Sequence, residues 1–182
     1  MQKKIVITGG PGTGKSTVIN ELEKRKYDCM HEISREVTIM AKKNGIEQLF
    51  LKDPMLFSKL LLEGRVQQFL RAEKLRSNLV FFDRGIPDVF AYMNYLGVSY
   101  PSVFINQSKQ HKYYDALFIM PPWKEIYITD SERYESFEQS LAIYNHLKIA
   151  YKDLGYTIIE VPFGTAEERA NFILEKIEQI TN

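Results

Sequence analysis

Gly9-Gly10-Pro11-Gly12-Thr13-Gly14-Lys15-Ser16 decides how the rest of this chain is read. The stretch matches G-x-x-x-x-G-K-[ST], and each part has a physical reason. Glycines reach backbone conformations barred to other residues, so successive N–H groups can turn toward one point. A helix starting at the end of the loop aims the positive end of its dipole at that same point. A lysine there reaches the β- and γ-phosphates of a nucleotide, and the next hydroxyl ligates Mg2+. At this chain's content of Gly, Lys and Ser+Thr, the pattern arises by accident in roughly 0.5% of such chains. The flanks lower that further. Lys4–Thr8 (KIVIT) is a β-branched run that reads as a buried strand. Ser16–Lys26 reads as a helix with Val18, Ile19 and Leu22 on one face. Gly9, Gly10, Pro11, Gly12, Thr13, Gly14, Lys15, Ser16 and Thr17 are therefore the expected ATP-binding set, with Ser16 on the metal.

Outward from the loop, the pattern alternates. Tyr27–His31 reads as a second strand, and Ile33–Lys43 as a helix that stops at Asn44-Gly45. Asp53-Pro54 is a helix start, with Asp as N-cap and Pro in the first turn. That helix is expected to run to Ser77, with Phe57, Leu60, Leu61, Phe69 and Leu70 at helical spacing. Gly64 interrupts it at a cost of about 1 kcal/mol relative to Ala. Leu79–Phe82 (LVFF) is a continuous apolar run of the buried parallel kind, and it ends at Asp83. Pro87–Leu96 should be helical, whereas 97–114 carry no decisive pattern. Asp115–Met120 is a fourth strand, cut by Pro121-Pro122. Ser131–Leu154 reads as a long helical stretch and Thr157–Val161 as a fifth strand. Thr165 with Glu168 forms a capping box for a last helix to about Gln179. Strands alternating with helices imply α/β architecture around a mostly parallel sheet.

Composition sets the outer bounds. At 182 residues the chain suits one domain. Lys+Arg number 24 and Asp+Glu 23, a formal +1, which argues against a dedicated nucleic-acid binder. Any positive potential must then be local: a cationic cleft of Lys15, Arg35, Arg84 and Arg133, offset by acids elsewhere. Cys29 is the single cysteine, so neither a disulfide framework nor a Cys-built metal site is available. No apolar run has the length of a membrane span, and Met1–Ile7 reads as a strand, not a signal peptide. The expected setting is the cytoplasm, with no membrane partner.

A phosphate loop needs an acid at a neighbouring strand end to organise Mg2+ and its water. Asp83, directly after Leu79–Phe82, is the candidate, with a turn-capping Asp as the alternative. The residues just after Asp83 discriminate among NTPases. A GTPase switch would need D-x-x-G, but position 86 is Ile, and no N-K-x-D sequence occurs. Asp83 is succeeded instead by Arg84. That pair places a metal- or hydroxyl-directed carboxylate beside a cation that can hold an acceptor.

At these residues the chain resembles a known group. It is similar to the small AAA-type P-loop proteins that include the ribosylnicotinamide kinase domain of the bacterial NAD-biosynthesis regulator, relatives of nucleoside and nucleotide kinases. The segments that carry the likeness are GGPGTGKST, HEISRE, LVFFDRGIPDVFAY, PPW and LGYTIIEVPFGTAEERANFIL, which span nearly the whole chain. The resemblance implies a three-layer P-loop NTPase fold with a five-stranded parallel sheet in the order 2-3-1-4-5. It also implies a small helical lid after the fourth strand, at about 121–140.

Several further residues are candidates, each with a plainer reading beside it. Glu32 sits just past the second strand, on the sheet edge shared with the loop and Asp83, where open α/β sheets bind ligands. A carboxylate there can accept the proton of an attacking hydroxyl, as the similar Glu of related nucleoside kinases does, or merely favour a helix dipole. Arg35 binds acceptor or phosphate, or is a solvated helix charge. Asp88 orders acceptor hydroxyls, or complements a helix start. Gln67, beside Gly64, contacts the acceptor, or packs between helices. Arg133 stabilises charge on the transferring phosphoryl group from the lid, or is a surface charge. Arg169 reads as structural or as lying near the base, and the Pro162–Thr165 loop is where adenine packs in this class. His31, His111 and His146 have no metal-ligand spacing. Tyr92, Tyr95, Tyr100, Tyr113 and Tyr114 are packing residues or the wall of an acceptor pocket.

The expected activity is transfer of the γ-phosphate of ATP to a small-molecule acceptor, nucleoside-like by resemblance. Lys15, Glu32, Asp83, Arg84 and Arg133 would be catalytic; Glu32, Arg35, Gln67, Arg84 and Asp88 would meet the acceptor; Ser16 and Asp83 would hold Mg2+. The alternatives are an ATP-hydrolysing regulatory switch and a nucleoside monophosphate kinase.

Overall fold

In the computed structural model, residues 2–47, 49–127 and 135–181 are described, and five parallel strands lie in the order β2-β3-β1-β4-β5. The strands are β1 (Lys3–Gly9), β2 (Asp28–Met30), β3 (Leu79–Asp83), β4 (Ala116–Met120) and β5 (Thr157–Glu160). The register sets Ile7 of β1 beside Asp83 of β3 and Gly9 beside Met120 of β4. Because every strand runs the same way, the ends of β1, β2 and β3 open onto one edge. The order agrees with the expectation from resemblance.

Side-chain alternation separates two cores. Ile5, Ile7, Phe81, Phe118 and Met120 face helices α1 (Lys15–Lys24) and α8 (Ala166–Thr181). Val6, Val80, Phe82, Leu117 and Ile119 face the other way, toward α4 (Pro54–Ala72), α5 (Pro87–Tyr95) and α7 (Phe137–Asp153). A strand buried on both faces must be apolar at consecutive positions, which is why LVFF and ALFIM read as unbroken runs. Two shorter helices, α2 (Ser34–Lys43) and α3 (Leu49–Lys52), link β2 to α4, and α6 (Val103–Gln110) precedes β4. No helix among the described residues is long and apolar enough to cross a membrane.

Boundaries differ from the sequence reading where tertiary contacts intervene. The fourth helix ends at Ala72, not Ser77, and the Gln2 side chain binds the carbonyl of its last residue and two in the connection beyond it. Gln2 Nε2 donates to the carbonyls of Ala72 (2.9 Å), Leu75 (3.3 Å) and Ser77 (3.1 Å). The seventh begins at Phe137, capped by Ser136 with Gln139 in a reciprocal capping box; residues 131–134 of the expected stretch lie outside the described residues. That S-x-x-Q signal was legible in the sequence. The ambiguous 97–114 stretch contains α6. The expected box of Thr165 with Glu168 is formed. Gly64 accommodates a side chain of the protein: a Cβ there would stand 2.3 Å from Ile33 Cδ1, so helix packing accounts for this glycine.

Candidate active site

The loop between β1 and α1 is shaped by what grips its carbonyls from outside. Arg84 Nη1 donates to the Gly9 carbonyl (3.0 Å), Ser140 Oγ to Pro11 (2.9 Å) and Arg169 Nη1 to Thr13 (2.8 Å). In a trans peptide the N–H points opposite to the carbonyl. Those three bonds therefore turn the N–H groups of Gly10, Gly12 and Gly14 the other way, and these make the anion-binding face of such a loop. Gly10's own carbonyl is joined to Pro11, which has no N–H to aim, and it accepts from Lys15 Nζ at 2.8 Å. Gly12 adopts a φ of +72°, and a Cβ there would stand 2.6 Å from the Tyr127 ring, so both torsion and space demand glycine.

Lys15 is buried, with Thr13 Oγ1 at 3.4 Å as a second partner. Burial, helped by the nearby Arg84 charge, lowers its ammonium to about 7, against the opposing pull of Asp83, Glu32 and Asp88. Asp83 is also buried, and burial raises its carboxyl despite Lys15. Its Oδ1 has no hydrogen-bond partner among the described residues. A buried orphan carboxylate oxygen at the strand edge beside the loop fits a group that binds hard oxygen ligands, such as hydrated Mg2+. Ser16 is exposed in the first turn of α1, with its hydroxyl open to the same kind of ligand.

Arg84 connects the loop to Glu32. Its Nε lies 2.5 Å from Glu32 Oε2, while Nη1 reaches Gly9 and, at 3.3 Å, Asp88. Its guanidinium also lies 5.4 Å from the centre of the Tyr92 ring. The backbone at Arg84 is left-handed, with φ +73°, a strained state for a non-glycine residue that surrounding contacts must hold. Glu32 is gripped further by Arg65, whose Nη2 lies 3.2 and 3.1 Å from its two oxygens, and by the Ile33 and Ser34 amides at 2.8 and 3.0 Å. Burial alone would raise the Glu32 carboxyl; Arg65, Arg84 and the Ser34 amide outweigh it and hold it at about 2. Arg65 also donates to the Gly85 carbonyl at 3.0 Å, so it braces the turn that carries Arg84.

Lys15, Glu32, Asp83 and Arg84 therefore gather at one edge, and other candidates do not join them. Asp88 is fully buried beneath the turn, its oxygens taken by Thr8, Arg84, Gly85 and Tyr151, where the sequence left open an acceptor contact. Gln67 turns to the opposite side of α4 and lines a cavity of about 550 Å³ with Leu62, Val66, Phe104 and Gln107. Its neighbour Gln68 is the one facing inward, donating to the His31 carbonyl at 2.6 Å. Arg35 is exposed in the first turn of α2. Arg133 lies outside the described residues. The tyrosines disperse: Tyr92 lies under Arg84, Tyr113 packs on Phe69 and Phe82, Tyr95 on His146, Tyr100 between Phe90 and Phe104, and Tyr114 bonds to Ile180.

The expectation that acids lie away from the cationic cleft is corrected. Glu32, Asp83 and Asp88 stand among Lys15, Arg65 and Arg84, because buried cations require partners. The sequence reading missed Arg65. Its signal was register: it falls four residues after Leu61 and four before Phe69, on the buried stripe of α4. Ser140 and Tyr127 carried no such signal, since their contacts with the loop are purely tertiary.

A phosphate loop after β1, an acid at the end of the adjacent β3 and this strand order define a P-loop NTPase fold of the kinase-like kind. The chain belongs to the AAA domain family, whose model matches residues 4–169. Solved structures share its fold at low identity. One is deoxyadenosine kinase from M. mycoides with the products dCMP and dCDP bound, at 18% identity and a TM-score of 0.72, over 97% of this chain and 99% of that one. Another is thymidylate kinase from Candida albicans, at 16% and 0.72, over 99% and 92%. A third is the NadR protein in complex with NR, at 16% and 0.70, over 96% of this chain and 49% of that one. No curated protein matches in sequence.

Proposed function

We propose that the protein is an ATP-dependent phosphotransferase acting on a small hydroxyl-bearing acceptor. The observation that carries this reading is the bridge through Arg84, one guanidinium that touches both the phosphate loop at Gly9 and the Glu32 carboxylate. A donor phosphate site and an acceptor carboxylate joined by one cation suit in-line transfer, where positioning and charge stabilisation supply most of the rate. Lys15 and the loop amides hold the β- and γ-phosphates. Ser16 and Asp83 would hold Mg2+, which supplies charge neutralisation at the phosphates when bound. Glu32 receives the acceptor hydroxyl in exchange for one arginine contact, and Arg84 turns to the transferring group. A carboxyl near 2 is a weak base, which suits a loose transition state in which the hydroxyl proton leaves late.

The acceptor class is set by charge. Arg65 and Arg84 are already paired with Glu32 and Asp88, so the site offers a neutral hydroxyl a better fit than a phosphomonoester. ATP consumption over a panel of nucleosides, other polyols and nucleoside monophosphates tests this. Turnover is expected with one of the neutral acceptors. Slow hydrolysis indifferent to every acceptor, or turnover only with a monophosphate, would sink the reading. Glu32→Gln should lower kcat by about 10²-fold or more while ATP affinity stays within about twofold, as expected for a group that acts on the acceptor.

Lys15 allows a separate check. Its ammonium is held at about 7 in the free protein, so at pH 8 most molecules carry the neutral amine. Bound polyphosphate favours the charged form and raises that value. Nucleotide binding should then take up close to one proton at pH 8 and far less at pH 6. Calorimetry in two buffers of different ionisation enthalpy reads this directly, and equal heats in both at pH 8 would contradict it.

A further inference from the structure

Among the described residues, Arg169 is a cation at the loop with no acid beside it. It comes from the first turn of α8, is only 2% exposed, and spends Nη1 on the Thr13 carbonyl. Its Nε and Nη2 are buried with no hydrogen-bond partner among the described residues. Lys15, Arg65 and Arg84 each have carboxylates beside them, whereas burial lowers Arg169 to about 10 with no acid among the described residues to oppose it. The nearest acid in sequence, Glu168, is occupied in capping Thr165. A guanidinium held out of water with no acid close by keeps a poorly screened charge that acts on any anion bound nearby.

The surroundings name that anion's chemistry. Nη1 would lie 2.9 Å from a Cβ on Gly14, so the guanidinium backs directly onto the turn of the phosphate loop. Trp123 covers it, with the ring centre 5.9 Å from Cζ, and stacks on the half-exposed Phe163 at 5.0 Å and 20°. We propose that Arg169 is a nucleotide-binding residue that acts through its charge from behind the loop, on a polyphosphate held by the amides of Gly12 to Lys15 on the other face. The inference rests on the nucleotide-binding part of the function proposed above. In this role Arg169 does two things. It holds the Thr13 carbonyl outward, and it adds an uncompensated positive charge behind the Gly14 amide, where low dielectric leaves it poorly screened. Trp123, the only tryptophan of the chain, is the cover that nucleotide entry perturbs.

The test is binding, not turnover. Affinities for ATP, ADP, adenosine and inorganic tripolyphosphate are measured by calorimetry, with Trp123 fluorescence as the local reporter, on the full chain and on Arg169→Met, Arg169→Gln and Arg169→Lys. Gln keeps a donor for the Thr13 carbonyl but carries no charge, and it also serves if the Met variant fails to fold. We expect the neutral variants to lose tenfold or more for ATP and tripolyphosphate, Lys to lose less than either, and adenosine to change by less than twofold. The tripolyphosphate-induced change in Trp123 emission should fade in parallel. If Arg169→Gln binds tripolyphosphate as the wild type does, Arg169 only holds the loop and the proposal is overturned. An equal loss for adenosine and ATP overturns it as well. If the wild type binds neither ATP nor tripolyphosphate, the nucleotide reading itself fails, and this inference falls with it.

Discussion

Lys15→Ala is expected to remove turnover, by on the order of 10³-fold or more, about 4 kcal/mol of transition-state stabilisation. The same change should leave the ligand-free fold as stable as before or slightly more so. Lys15 is buried, its ammonium is lowered toward neutrality by that burial, and its partners are a carbonyl and a hydroxyl with no close carboxylate bond. Removing it relieves a desolvated cation and opens little space in the apolar core. Activity and stability therefore move independently, which separates a functional lysine from a structural one. Thermal unfolding together with ATP consumption in the presence of an acceptor measures both. Wild-type turnover in this variant would remove the basis for the proposed function.

Asp88→Ala should show the reverse: a large loss of stability that drags activity down with it. The Asp88 carboxylate is fully enclosed and accepts from Thr8 Oγ1 at 2.5 Å, Gly85 N at 2.9 Å, Tyr151 Oη at 2.6 Å and Arg84 Nη1 at 3.3 Å. It thereby ties the end of β1, the turn after β3 and helix α7 into one knot. Truncation strands a buried guanidinium contact and three neutral donors, a change worth about 3–5 kcal/mol. Asp88→Asn keeps the shape and one acceptor oxygen, so it should fall between the two. The urea midpoint checks the order wild type, Asn, Ala. A loss below about 1 kcal/mol for the Ala variant would mean that the knot relaxes without cost. The knot also holds Arg84 in its left-handed backbone, so any folded fraction of the Ala variant should bind nucleotide while turning over poorly.

The two variants mark how much was legible beforehand. Lys15 announces itself, because a loop of alternating glycines leading into Lys and Ser has one physical use and the flanking periodicities place it between strand and helix. Asp83 was legible for a similar reason: a continuous apolar run must be a doubly buried strand, and the residue after it must emerge at the sheet edge. Glu32 came from the same edge argument. Asp88 could not be read so far. Its position near a helix start was visible, but whether it faced the cleft or the interior depended on Thr8 and Tyr151, which lie 80 and 63 residues away. Gln67 and Gln68 show the sharper limit. Adjacent residues on a helix point about 100° apart, so a small error in the phase of an amphipathic pattern exchanges a cleft residue for a surface one.

What the amino-acid order determined by itself is local: strand or helix by period, caps by side-chain chemistry, and the phosphate loop by its glycines. These signals rest on interactions within a few residues, although the grip on the loop's carbonyls comes from Arg84, Ser140 and Arg169. The tertiary structure alone decided the electrostatics. Arg65 from α4, Arg84 from the turn after β3 and Glu32 after β2 meet only when β3 lies between β2 and β1. Arg169 likewise meets the loop, with no acid beside it among the described residues, only because α8 packs its first turn there. Charge pairing depends on distances across the sheet, and chain order does not specify those. A net charge of +1 is silent about which cations are balanced and which are not.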